Sequence, residues 1–197
     1  MNAVRPFPSD RGIVVAAMFV AGWALFLGGI RWFGETNGEP NVRLAGTALA
    51  APYVTVAALA LAGALGDRPW LLAAAGAALM PMSVMLFSPA TLPLLFPAAF
   101  FVMRGFSDTS GWPRAGVIAA IVAAVMLVAA PLALFVHEDA AEWETPSGGG
   151  AGTSNTVTRT ESFAALALSA GAIAVAALGS GALRHPGVGP RPSAELH

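Results

Sequence analysis

The chain of 197 residues contains no cysteine, no lysine and no glutamine. Without cysteine it forms no disulfide and offers neither a thiolate metal ligand nor a cysteine nucleophile. Charge is also scarce, because only 11% of the residues are charged, against about 25% in a soluble domain. The net charge of −1 provides no general attraction to nucleic acid, so no nucleic-acid partner is expected.

Hydrophobic residues, in contrast, make up 56% of the chain. They form runs of about 20 residues, the length that crosses a bilayer as a helix. The sequence therefore predicts an all-α integral membrane protein, a bundle of about six transmembrane helices. The expected spans are 12–33, 44–65, 70–87, 88–103, 115–136 and 163–183, within one helical domain of residues 12–184. The first run is longer than the 7–15 apolar residues of a signal peptide, which indicates a retained span.

The segment 70–103 organises the rest of the chain. It contains no charged residue and is interrupted by Pro81, Pro89, Pro93 and Pro97. A straight helix of this length would reach roughly 50 Å, whereas the hydrocarbon core is about 30 Å thick. The segment must therefore fold back. Two full crossings are the preferred expectation, and a re-entrant hairpin that leaves four true spans is the alternative.

The arginines predict the orientation, because short cytoplasmic loops are enriched in basic residues. With both termini in the cytoplasm, only Arg31, Arg43 and Arg159 lie outside, and the other arginines lie inside; both topologies share this arrangement. The N-terminal segment 1–11 and a disordered tail at 185–197 are then cytoplasmic. Residues 137–162 become a flexible acidic outer loop.

One candidate site lies in this outer loop, where His137, Glu138, Asp139 and Glu142 stand close together. Carboxylate oxygens suit hard cations, so a weak cation site or a docking site for a partner is one interpretation. A solvated acidic helix end is the preferred one. The spacing matches no zinc motif, and no catalytic, cofactor-binding or metal-binding residue is expected.

A second candidate site is polar lining for a solute near the prolines, formed by Tyr53, Ser83, Ser88 and Thr91. Broken helices expose backbone groups that transporters use at their sites. However, no ionisable residue falls clearly within a span, although such residues usually mark function in membranes.

These features favour a non-catalytic, multi-pass protein of the bacterial cytoplasmic membrane. We expect an accessory or structural subunit that packs against membrane-protein partners or forms a homo-oligomer, since small residues recur four apart in several spans. A small-solute permease or channel that uses the hairpin 70–103 is the alternative. An enzyme that acts on lipid would have to rely on the cluster around His137 and ranks last.

Overall fold

The structure, a computed structural model, describes residues 10–33, 41–85, 90–107, 109, 112–134, 141–144, 151–154 and 157–181. In this part of the chain six α-helices, one short 3-10 helix and two short strands follow each other. In chain order they are α1 Asp10–Phe33, α2 Val42–Leu65, α3 Pro69–Met85, the 3-10 helix Leu92–Leu94, α4 Leu95–Gly105, α5 Arg114–Ala133, β1 Ala141–Glu144, β2 Ala151–Ser154 and α6 Arg159–Gly179.

Four of these helices, α1, α2, α5 and α6, are long and apolar enough to cross a membrane. At 1.5 Å per residue they measure about 30 to 36 Å, which matches a hydrocarbon core of about 30 Å. The prediction of a helical fold of the membrane-protein type is confirmed at this level. The outward faces agree with it, because large apolar side chains such as Val15, Phe26 and Val125 are more than half exposed.

The segment 70–103 forms a hairpin of two shorter arms. The first arm, α3, is about 25 Å long, and the second arm, the 3-10 helix followed by α4, is about 22 Å long. Pro93 lies in the 3-10 helix and Pro97 in the first turn of α4, where the missing N–H removes no helical hydrogen bond. Proline therefore sets where the second arm begins.

Helices α1 and α2, and likewise the two arms of the hairpin, run antiparallel and approach closely where a glycine lies in the contact. A Cβ added at Gly28 would lie 2.9 Å from the carbonyl oxygen of Gly46, which fixes the crossing of α1 and α2. A Cβ at Gly76 would lie 2.6 Å from the backbone nitrogen of Val102, so the two hairpin arms are in backbone contact. Small residues allow such contact where lipid supplies no hydrophobic drive for association.

The segment between α5 and α6 contains a β-hairpin that the sequence analysis did not predict. Strands β1 and β2 pair antiparallel, with Ala141 opposite Ser154. Helix α6 begins soon after them in a capping box, in which Thr158 Oγ1 accepts from the Glu161 N–H and the Glu161 carboxylate accepts from the Thr158 N–H. This reciprocal pair satisfies two otherwise unpaired donors and starts α6 four residues before the predicted span.

Candidate functional site

One side of the end of α3 is buried in the bundle at Met82 and Ser83, where its last carbonyl groups need donors. The final carbonyls of a helix have no partner within it, and an unsatisfied group in an apolar interior is costly. Two side chains from other elements supply the donors. The Tyr53 hydroxyl of α2 donates to the Met82 carbonyl at 3.2 Å, and the Thr91 hydroxyl donates to the Ser83 carbonyl at 2.9 Å.

A third donor reaches the returning chain from α1. The indole N–H of Trp23 donates to the carbonyl of Ala90 at 2.6 Å. The Trp23 ring lies between Phe19 and Phe26, with ring centroids 5.7 Å and 5.8 Å away. The sequence analysis did not assign this residue to the site. Its position in the middle of a span, away from the interfacial belts where tryptophan is enriched, is the signal that marks it.

The last turns of α3 also carry a local hydrogen bond. The Ser83 hydroxyl donates to the Leu79 carbonyl at 2.7 Å. Pro81 lies in the same turns and has no N–H to give to the carbonyl of Ala77. Proline and this type of serine bond both favour bending of a helix. Pro81 and Ser83 thus favour a bend at the end of α3, and Tyr53 and Thr91 bind its carbonyl groups.

The depth of the hairpin end follows from its partners. Trp23 and Tyr53 each stand near the middle of a 24-residue helix, about 15 to 20 Å from either end. The first turn of α3 lies level with the carboxyl end of α2. A Cβ added at Gly63, near that end, would be 3.1 Å from the backbone nitrogen of Leu72. The end of the hairpin therefore meets α1 and α2 halfway along their lengths.

Three of the four residues predicted as solute lining are brought together here. Tyr53, Ser83 and Thr91 are all buried, with exposed fractions of 1%, 0% and 1%. Ser88 lies outside the described residues. Each of the three hydroxyl hydrogens is donated to a backbone carbonyl of the same chain. The arrangement holds the hairpin in place, and a role as solute lining stays a prediction.

The predicted outer cluster falls largely beyond the described part of the chain. His137, Glu138 and Asp139 lie outside it, and Glu142 belongs to β1, where its backbone pairs with Thr153. Residues 141–144 are thus a strand and do not continue α5 as a helix. Among the described residues there is no group of three or more His, Cys, Asp or Glu that could hold a metal ion. The cation-binding or docking role of the cluster stays a prediction.

The chain matches no protein-family model, no curated protein and no solved structure.

Proposed function

We propose that this protein is a non-catalytic accessory or structural subunit of the bacterial cytoplasmic membrane. One observation carries the proposal: the polar side chains at the hairpin end, Trp23, Tyr53, Ser83 and Thr91, donate their hydrogens to backbone carbonyls of their own chain. Side chains used in this way stabilise a fixed framework. A framework of this kind suits a subunit that presents a fixed surface to its partner proteins.

The proposed topology has four spans and a re-entrant hairpin that enters from the cytoplasmic side, with both termini in the cytoplasm. Both hairpin arms are shorter than the hydrocarbon core of about 30 Å, and their described ends at Met82 and Ala90 are bonded to the middle of α2 and α1. Irregular backbone at this depth is tolerated when protein surrounds it. Six full crossings, the preferred expectation from sequence, would require the short second arm to thin the bilayer.

The proposed surface for a partner is the outward face of α6. Ala170 and Ala174 are exposed there, four residues apart. This spacing places both on one side of the helix, and small residues let a second transmembrane helix approach closely. Larger apolar side chains, Phe163, Ile173 and Leu178, are also exposed on α6, so the two alanines form a low part of that face.

Purification through a C-terminal tag from native membranes in mild detergent, followed by mass spectrometry, tests the proposal. We expect partner membrane proteins, or further copies of this chain, in stoichiometric amounts. Replacing both alanines of the α6 face with leucine should release them. The matched control is the same pair of changes on α2, at Ala58 and Ala62, which are also exposed and four apart. A monomer without partners would contradict the proposal.

A small-solute permease or channel is the second candidate, favoured by the helix break inside the bundle. Two helix ends meet near mid-depth there, α3 by its carboxyl end and the 3-10 helix by its amino end. Transporters use such ends to hold ions and polar solutes. Liposomes that contain only this protein test the idea. The permease would be favoured over the accessory subunit if these liposomes show solute flux above that of empty vesicles and if Tyr53→Phe or Thr91→Val changes that flux.

A further inference from the structure

Three arginines from separate helices converge on the first turn of α2. Arg43 belongs to this turn, and Arg31 comes from the last turn of α1. The Cβ of Arg31 lies 3.7 Å from the position that a Cβ at Gly46 would take. Arg159, the first residue of α6, donates from Nε to the side-chain oxygen of Asn41 at 2.8 Å, and Asn41 is the N-cap of α2.

These are the same three arginines that the orientation rule leaves outside the cytoplasm, so topology does not account for them. The adjoining start of α2 favours an anion. The Asn41 side chain makes no capping bond to the first turn of α2, and this helix end carries partial positive charge. The nearby carboxylate of Glu161 accepts from the Thr158 N–H at 2.7 Å. We refer to Arg31, Arg43 and Arg159 as the arginine cluster.

An apolar groove begins beside the arginine cluster and runs along α1 and α2 toward mid-depth. Its volume is about 510 Å³. Trp32 and Phe33 line the end near the cluster, and Leu25 and Val54 line the deep end. Gly28 and Gly46 meet at the floor of the groove, so no side chain fills it there. Trp32 is 40% exposed, as suits a residue at the boundary between lipid and water.

We propose that the groove and the arginine cluster together bind an anionic phospholipid. One acyl chain lies in the groove, and the phosphate meets the guanidinium groups at its mouth. Guanidinium matches phosphate geometry with paired hydrogen bonds, and basic pockets between transmembrane helices suit acidic head groups. A single ligand with a charged head and a long apolar tail fits both halves of this surface. The proposal is independent of the accessory-subunit function, since it requires no protein partner.

Native mass spectrometry of the full chain in detergent tests this directly. Two probes are used at equal concentration, phosphatidylglycerol and phosphatidylcholine with identical acyl chains. They share the tail and differ in net charge, so the comparison isolates the head group. We expect phosphatidylglycerol to be retained about tenfold more than phosphatidylcholine, a difference of about 1.4 kcal/mol, because arginines near a lipid surface attract anionic head groups.

Separate variants remove the charge of the arginine cluster and fill the groove. The double variant Arg31→Ala/Arg43→Ala should lose the preference for phosphatidylglycerol, whereas Arg68→Ala/Arg104→Ala removes equal charge at the other end of the bundle and should keep it. Arg43→Gln alone, at an exposed side chain, covers the case in which the double variant does not fold.

Gly29→Leu should fill the groove and reduce retention of both lipids. Gly29 lines the groove, and a Cβ added there meets nothing within 4 Å. Gly22→Leu is the matched control, because Gly22 is equally open and lies on the same helix. It should bind lipid as the unmodified chain does.

Three results would overturn the proposal. One is equal retention of the two lipids by the unmodified chain. Another is a preference that survives in Arg31→Ala/Arg43→Ala. The third is a dimer without bound lipid that Gly29→Leu converts to monomer, which would assign the groove to a second copy of the chain.

Discussion

The indole nitrogen of Trp23 and the carbonyl oxygen of Ala90 are joined by a 2.6 Å hydrogen bond across 67 positions of sequence. The bond ties the middle of α1 to the chain that returns from α3. Tyr53 makes the equivalent bond from α2 to Met82. Together the two bonds hold the hairpin end at one depth relative to both long helices.

Replacing Trp23 with phenylalanine should lower the free energy of unfolding by about 1 kcal/mol. The ring keeps much of its apolar contact with Phe19 and Phe26, whereas the donor to Ala90 is lost, and a hydrogen bond of this kind contributes about 0.5–1.5 kcal/mol. Denaturant unfolding in mild detergent measures the change. The control is Trp32→Phe at an exposed position, which should leave stability within about 0.5 kcal/mol.

The hydroxyls of Tyr53 and Thr91 should act independently on stability. Tyr53→Phe and Thr91→Val each remove one donor to α3 and preserve side-chain shape, at a cost of about 0.6 to 2 kcal/mol each inside a membrane. Because the two donors bind different carbonyls, the double variant should show additive losses within about 0.5 kcal/mol. A double-mutant cycle by thermal unfolding checks this, and strong coupling would indicate a shared network.

Much of this arrangement follows from local sequence. Apolar runs predict the long helices to within a few residues of their observed ends, since a span is set by length and hydropathy. The prolines of 70–103 predict that the segment breaks and turns. Ser83 and Thr91, close to those prolines, and Tyr53, next to Pro52, were singled out as polar residues beside helix breaks, and they do meet at the hairpin end.

The remainder depends on contacts between distant residues. Nothing near Trp23 in sequence indicates that Ala90 is its acceptor, because that pairing is set by how α1 packs on the hairpin. The strands β1 and β2 are equally hard to predict. They are short, and β2 is the Gly- and Ser-containing segment Ala151–Ser154, a composition with low strand propensity. Pairing with β1 outweighs that preference.

Gly76→Ala and Gly22→Ala should change stability in opposite directions. A methyl group at Gly76 would lie 2.6 Å from the backbone nitrogen of Val102, and the backbone cannot rotate away as a side chain can, so a loss of about 1–3 kcal/mol is expected. At Gly22 the methyl group meets nothing within 4 Å, and alanine favours a helix by up to about 1 kcal/mol. Thermal unfolding of both variants in the same detergent gives the signs. Two variants of equal stability would contradict the close packing of the hairpin arms.

Thr158→Ala should loosen the start of α6. The substitution removes the hydroxyl that accepts from the Glu161 N–H at 3.3 Å, and loss of an N-cap side chain costs about 0.5–2 kcal/mol. Hydrogen exchange at the first turn of α6 should accelerate, with little change at its end. The neighbouring exposed residue Thr160 supplies the control as Thr160→Ala, which leaves the capping box intact and should not alter exchange.

Ser88→Cys should stay unreactive toward an impermeant thiol reagent added outside intact cells. The chain contains no other cysteine, so any signal reports this position alone. The reason is depth, because Met82 and Ala90, on either side of residue 88 in sequence, are bound to the middle of α2 and α1 by Tyr53 and Trp23. A full crossing would instead bring residue 88 to the outer surface.

Two further cysteine variants calibrate the labelling of residue 88. Glu39→Cys, between α1 and α2, should react from outside, and Thr109→Cys, between α4 and α5, should react only in inverted vesicles. With both controls in place, outside labelling of residue 88 would establish six crossings. Protection that ends only on solubilisation supports four spans with a re-entrant hairpin, because a thiol at mid-depth is out of reach of a charged reagent on either side.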